Sequence, residues 1–410
     1  MLTPKLGMNA TTTPLPRRNR FLAALLSLLG LTIAVPGGDA ADSGVSVALE
    51  LAPAEGNPRN SEGDFVRLKD GGLLFVYTHF TGGGGDNASA HLAGRVSKDE
   101  GRTWTREDRL ILENEGGENV MSVSLERLPD GRIALLYLRK NSWDDCRPYL
   151  RFSSDEAETW SEPVEIVPDS RIGYYVVNND RLLRLSSGRL VVPAARHNDP
   201  SLGKFDARGV MVCFYSDDLG ETWRQSTDER DGTPAGGGNR VTLQEPGVVE
   251  LHGGELLMFA RTNGGSQYFS RSRDGGDTWS RFEPSGLISP VSPATIERIP
   301  STGHLLCVWN DHAKIGPALK GKRTPLAAAI SKDDGKTWGP SRILCDDPDG
   351  WYCYTAMEFV ESAKGGDTAV LLGHCAGSRS GGNGLGLTRV TVAPLSWFYG
   401  ETEPEKTGKP

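Results

Sequence analysis

Cysteine is scarce in this sequence: six residues in 410, at Cys146, Cys213, Cys307, Cys345, Cys353 and Cys375. So sparse a set excludes a small disulfide-held scaffold. Export would permit bridges, but six cysteines admit many pairings and spacing does not choose among them; Cys345 and Cys353 are the nearest pair. Cys-x-x-Cys and His-Glu-x-x-His spacings are missing, so neither a metal nor another cofactor is expected. Basic charge is also short. The formal net charge is -8, and residues 1–40 carry four basic residues against one acid, so the remainder is more acidic still. Nucleic acid and anionic membrane are poor partners for such a surface. No Gly-X-Y period exists, which excludes collagen. Long apolar runs are missing too. The longest, Phe21–Val35, falls short of the ~20 residues that span a bilayer.

That run has a meaning of its own. Arg17, Arg18 and Arg20 precede it, and Pro36-Gly37-Gly38-Asp39-Ala40 follows. A charged stretch, an apolar stretch and then small residues is the order of a secretory signal. Residues 1–40 are therefore expected to be a signal peptide cleaved after Ala40, and the protein to be exported, extracellular or periplasmic, without integral membrane association. The alternative is a retained anchor, which the short run disfavours. At the other end, residues 401–410 are charged and proline-containing, and read as a flexible tail.

Glycine is abundant, 51 residues, and punctuates two repeats. The first is Ser-x-Asp-x-Gly-x-Thr-Trp, at Ser97–Trp104, Ser216–Trp223, Ser272–Trp279 and Ser331–Trp338, with a fifth copy at Ser153–Trp160 where Ala157 replaces glycine. Successive copies start 56, 63, 56 and 59 residues apart. The aspartate suits a tight turn, the glycine permits its dihedrals, and the tryptophan packs, so the box is structural. The second repeat is a hairpin of apolar strand, turn and apolar strand, first at Arg67–Leu74 and then at Arg127–Leu135, Arg184–Val191, Glu250–Leu257, Arg298–Leu306 and, more loosely, Phe359–Leu372. About sixty residues with four strands is one propeller blade. The expectation is an all-β, six-bladed β-propeller over residues 41–400, four antiparallel strands per blade, with five boxes. Strands near Ser46–Leu51 and Leu385–Val392 would close the ring, which removes exposed sheet edges. A pair of β-sandwiches is the competing fold.

Equivalent positions in a propeller meet around the axis. Six residues before the apolar residue closing each first strand stand Glu62, Ser122, Asn179, Glu245, Pro293 and Tyr354. The returning strands end at His79, Arg139, Arg196, Arg261, Asn310 and His374. One mouth is thus expected to gather glutamates, a tyrosine and arginines, a set suited to an anion.

These residues resemble the sialidase (neuraminidase) family of glycoside hydrolases. The boxes are similar to its Asp boxes, six blades are its fold, and the likeness covers roughly residues 55–395. Gln244-Glu245-Pro246-Gly247 resembles the family's glutamate before a central apolar strand, and Phe259-Ala260-Arg261 the arginine ending the next. Lys322-Arg323-Thr324-Pro325 fits a second arginine. Tyr354-Thr355-Ala356-Met357 fits the nucleophilic tyrosine, with Tyr352 as rival, and Asp86 after Gly82-Gly83-Gly84-Gly85 fits the acid/base aspartate. The family's first arginine falls where Ser61-Glu62-Gly63 stands here. Either Arg59 substitutes through a bulge, or Glu62 puts anionic chemistry in its place.

The resemblance implies a retaining Tyr-nucleophile reaction on terminal sialic acid or a related acidic sugar. Tyr354 would attack, Glu245 take its proton, and Asp86 act as acid and then base on a loop freed by its glycines. Arg261, Arg323 and Arg59 would bind the carboxylate, with Glu62, Arg139, Asn179 and Arg196 also facing the substrate. The expected partner is an acidic glycan. Alternatives are a uronate-directed hydrolase or lyase, or a non-catalytic glycan-binding propeller.

Overall fold

The computed structural model describes residues 44–198, 203–362 and 365–400. The expected signal peptide and tail lie outside them. Within them the regular structure is almost wholly β, with one short α-helix at Leu395–Tyr399 and three single 3-10 turns. No helix among the described residues is long and apolar enough to cross a membrane.

Second strands such as Leu73–Phe80 and Leu256–Thr262 read as near-continuous apolar runs rather than alternating ones. Such runs suit strands covered on both faces, and both are buried over nearly their full length. Outer strands, such as Arg109–Leu112, are short and half exposed.

The strands form four four-stranded antiparallel sheets and one larger sheet. The first holds Arg59–Arg67, Leu73–Phe80, Ala90–Ser97 and Arg109–Leu112 in order. Two others run from Leu243 to Ile288 and from Thr295 to Cys345. The larger sheet has nine strands between Asn119 and Gln225, and its two halves join through one parallel pairing, Tyr174 with Cys146. In the last sheet, Gly350–Val360, Ala369–Ser378 and Thr388–Pro394 are completed by Ser46–Leu51, the first strand of the described residues. The expected closing strands therefore pair, with the second starting at Thr388 instead of Leu385.

Six apolar clusters fill the spaces between consecutive sheets, the two halves of the nine-stranded one counted separately. One of them packs Phe65, Phe75 and Tyr77 of the first sheet on Ala356, Val360 and Leu371 of the last. Burial of apolar area here, at roughly 25 cal/mol per Å², is what holds neighbouring sheets face to face.

The five boxes carry one hydrogen-bond set. In the first, the Gly101 N–H donates to Ser97 Oγ (2.9 Å), the Ser97 hydroxyl to Asp99 Oδ1 (2.9 Å), and the Thr103 N–H and hydroxyl to the Asp99 carboxylate (2.8 and 2.7 Å). The same contacts recur around Asp155, Asp218, Asp274 and Asp333. Each box tryptophan joins a different inter-sheet cluster. The glycine position has φ between +75° and +95° in four boxes, and Ala157 adopts +65° in the fifth. A Cβ is strained there, which marks that box as locally imperfect.

Candidate active site

The first strands share one irregularity. Register slips between Ser61 and Asp64, Met121 and Ser124, Gln244 and Gly247, and Cys353 and Ala356. Each slip is a β-bulge, which bends the strand and re-aims a side chain. The first bulged residues are Glu62, Ser122, Glu245 and Tyr354, all left-handed with φ of +56°, +61°, +47° and +57°. Strain of roughly 1–3 kcal/mol at each such residue persists only where surrounding structure over-determines it. Four of the six positions chosen by spacing thus stand on matching bulges. In the third repeat the left-handed residue is Asp180 (φ +58°), one beyond Asn179. Pro293 cannot follow the pattern, because its ring fixes φ near -65°.

These bulges bring Tyr354 and Glu245 together. The phenol donates to Glu245 Oε1 at 3.2 Å, and Arg261 Nη1 donates to the same oxygen at 2.7 Å. Arg323 lies against the tyrosine, its guanidinium carbon 5.4 Å from the Tyr354 ring centre and 5.2 Å from that of Trp351. Its Nη1 donates to Cys353 Sγ at 3.0 Å. Glu245 Oε2 and Arg261 Nε are buried without a hydrogen-bond partner among the described residues. An acceptor and a donor left open beside one another suit a ligand that carries both kinds of group.

Electrostatics separate the two proton-bearing groups. Burial pushes the Glu245 carboxyl up, but Arg261 and Arg323 outweigh it and hold the group below its usual range. Burial, then the Glu245 charge, pushes the Tyr354 phenol well above its usual value, despite Arg323 and Arg261. At neutral pH the proton therefore rests on the phenol, aimed at an ionised carboxylate.

Arg59 belongs to the same charge network. It is 1% exposed, sits 4.3 Å over the Phe80 ring, and donates to Asp86 Oδ1 (2.5 Å) and Glu62 Oε1 (3.2 Å). Glu62 also accepts from Ser122 Oγ at 3.2 Å. Burial raises the Glu62 carboxyl to about 7, against the pull of Arg59, with Asp86 and Glu245 adding to the rise. Arginine and glutamate are thus both present at the first sheet, the two readings that spacing left open. Arg59 and Trp351 line a cavity of about 590 Å³ together with Gly84, Arg379 and Gly384.

Asp86 sits in the glycine loop, its side chain 61% exposed. The loop is more firmly held than its glycines suggest. The Asp86 carbonyl accepts from Asn119 Nδ2 (2.9 Å) and from Lys140 Nζ (3.2 Å), and Lys140 is fully buried. Spacing did not single out either residue, because both reach the loop from the next sheet.

Other expected site residues are placed elsewhere. Arg139 stacks on Tyr149, 3.8 Å from its ring centre. The bulge gives the reason. Arg261 pairs with Gln244, just before its bulge, and the matching position before the Ser122 bulge, Met121, pairs with Leu138. Arg139 is one residue further, so its side chain takes the opposite face. Arg196 pairs with Glu229 at 2.6 Å, while its neighbour His197 is buried and feels the charges of Glu245 and Arg261. Alternation again explains the exchange. Asn179 is buried and bridges backbones, donating to Gly63 O (2.8 Å) and Tyr354 O (3.1 Å). It supports the bulges rather than facing a ligand.

A second cavity, about 350 Å³, is lined by Asp64, Asp180, Glu297 and Glu358 with Arg181. Asp64 accepts from the Phe65 and Leu125 N–H groups, both at 2.7 Å. Burial is the chief cause that raises all four carboxyls, Asp180 to about 6 and Glu358 to about 7.

The family profile of the BNR repeat-like domain matches residues 117–364. A sialidase of Paraclostridium sordellii is 26% identical over 248 residues, 53% of this chain and 56% of that protein. The match spans about half the length of that relative, and less of a Bacteroides fragilis sialidase, 27% identical over 223 residues. Among solved structures, a protein of unknown function from Dyadobacter fermentans superposes with a TM-score of 0.65, at 19% identity over 86% of this chain and 99% of its own. The Hadza microbial sialidase Hz136 gives 0.63, at 20% identity over 83% and 66%. Repeats, fold and profile agree: the chain belongs to the sialidase family with BNR (Asp-box) repeats.

Proposed function

We propose that the protein is an exported, six-bladed sialidase that removes a terminal sialic acid, or a related acidic sugar, with retention at the anomeric carbon. Six blades are supported by the six inter-sheet clusters and by the single parallel pairing within the nine-stranded sheet. Export rests on residues 1–40 alone, as a leader before a catalytic domain of residues 41–400 and a tail of 401–410.

The observation that carries the chemistry is the shared oxygen: Glu245 Oε1 accepts from both Tyr354 and Arg261. A sialoside bears a carboxylate on its anomeric carbon, so an anionic nucleophile would be repelled there and a neutral phenol is better suited. Tyr354 attacks that carbon as its proton passes to Glu245, and Arg261 and Arg323 stabilise the charge that moves. Asp86 gives a proton to the leaving oxygen, then takes one from water as that water displaces Tyr354 from the anomeric carbon, and the phenol recovers its proton from Glu245. Arg59 couples binding to that role. Its guanidinium pairs with the Asp86 side chain, Nη1 to Oδ1 at 2.5 Å. A substrate carboxylate that takes over Arg59 breaks this pair and frees Asp86 to turn to the leaving oxygen. Arg59, Arg261 and Arg323 then grip the carboxylate through planar guanidinium forks.

The test uses an activated sialoside, 4-methylumbelliferyl N-acetylneuraminic acid. Tyr354→Phe and Asp86→Ala should each lower kcat roughly a hundredfold or more, with an unchanged circular-dichroism spectrum. Undiminished turnover in both removes the assignment.

A further inference from the structure

Two cysteines on the paired strands of the last hairpin face each other under this site. Cys353, the residue before the Tyr354 bulge, is the cross-strand partner of Cys375. Directly opposed residues of an antiparallel pair have Cα atoms about 4.5–5.5 Å apart, inside the span a disulfide tolerates. Both thiols are free, and both residues are 1% exposed. The pair sits between two of the three arginines. Arg323 donates to Cys353 Sγ at 3.0 Å, and Cys375 lies within the electrostatic reach of Arg59.

We propose that Cys353 and Cys375 form a redox modification site, and that bridging them strengthens anion binding at the adjoining arginines. This deepens, and rests on, the sialidase reading above. In the reduced protein a guanidinium N–H of Arg323 is spent on sulfur. Burial disfavours a charged Cys353, but the Cys375 thiol and Arg323 outweigh it and bring the thiol to about 7. A share of the molecules therefore carries an anion against the arginine that a substrate carboxylate must engage. The same anion opposes loss of the Tyr354 proton. A disulfide carries no charge, so bridging removes both effects at once.

The oxidant is a peroxide, small enough to reach buried sulfur. The Cys353 thiolate displaces hydroxide from hydrogen peroxide and becomes a sulfenic acid. Cys375 sulfur then attacks Cys353 sulfur, the S–O bond breaks, and the hydroxyl leaves as water with the Cys375 proton. In sum two thiols and one hydrogen peroxide give one disulfide and two waters. A dithiol such as dithiothreitol reverses the bridge by exchange.

The experiment treats the purified chain, in a Cys345→Ser background that removes the cysteine nearest in sequence, with hydrogen peroxide. Peptide mapping should find residues 353 and 375 cross-linked, and dithiothreitol should release them. The bridged form should show a KM for the umbelliferyl sialoside, and a Kd for free N-acetylneuraminic acid, roughly three- to tenfold lower than the reduced form. Cys353→Ser, uncharged at that position, should match the bridged form and ignore peroxide. Sulfinic or sulfonic acid on Cys353 without a cross-link overturns the proposal. So does a cross-link that leaves KM and Kd unchanged or raises them. A cross-link in a protein that neither binds nor cleaves sialosides in either state overturns the sialidase reading and with it the proposed substrate effect, but leaves the bridge established.

Discussion

Among the described residues, buried Glu245 and the buried acids of the second cavity resolve the same problem in opposite ways. Around Tyr354, the guanidinium groups of Arg261 and Arg323 both face one carboxylate, and Glu245 stays ionised although burial works against it. Around the acid-lined cavity, Asp64, Asp180 and Glu297 lie within reach of the buried cation Arg181 and Glu358 within reach of Arg67, yet all four carboxyls are pushed upward. The two regions share the strands Arg59–Arg67 and Gly350–Val360, which carry Glu62 and Tyr354 at the bulges and Asp64 and Glu358 beyond them. Backbone geometry therefore does not decide whether a buried carboxyl keeps its proton. The local balance of cations and carboxyls does.

The strongest way to break this comparison is to remove the ionised carboxylate. Glu245→Gln should lower kcat on the umbelliferyl sialoside about a thousandfold, because the phenol loses its proton acceptor. Little change would mean that the two clusters do not differ in function. Next, Arg261→Leu takes away a cation and should reduce kcat/KM roughly a hundredfold. It should also move the acid limb of the pH–rate profile upward, since Glu245 then lies nearer the situation of Glu358. An unmoved limb would detach Glu245 from that limb.

The acid-lined cavity gives a smaller, pH-dependent effect. Asp180 at about 6 and Glu358 at about 7 hold protons that the unfolded chain has already released between pH 4 and 7. Stability therefore declines as pH rises through that window. The groups involved are Asp64, Asp180, Glu297 and Glu358, with Arg181 and Arg67 facing them. Glu358→Gln should flatten the fall in Tm between pH 5 and 8 and leave KM unchanged; an equally steep fall would assign it to other groups. The smallest effect lies outside both clusters. Ala157→Gly relieves a left-handed alanine and should stabilise the protein by about 1 kcal/mol at every pH, measured by denaturant unfolding, and so supplies a pH-independent baseline.

What sequence made legible follows the range of the interactions. The boxes are local, closed by hydrogen bonds over two to four residues, so their pattern can be read directly. Tyr354, Glu245 and Arg261 stand out because each begins or ends a repeated hairpin. Bulges are harder to read. One extra residue turns Leu138, rather than Arg139, into the counterpart of Arg261, and moves the left-handed position from Asn179 to Asp180. The contacts of Asn119 and Lys140 with the Asp86 loop depend on sheets brought together by folding. No spacing records them.

The strand that completes the last sheet has a consequence for synthesis. Ser46–Leu51 emerges early, yet its partner Thr388–Pro394 comes from the other end of the chain. Until translation reaches that partner, the sheet that carries Tyr354 lacks its outer pairing and the early strand keeps an open edge. The sheet that carries Tyr354 is thus closed only after Thr388–Pro394 has been made.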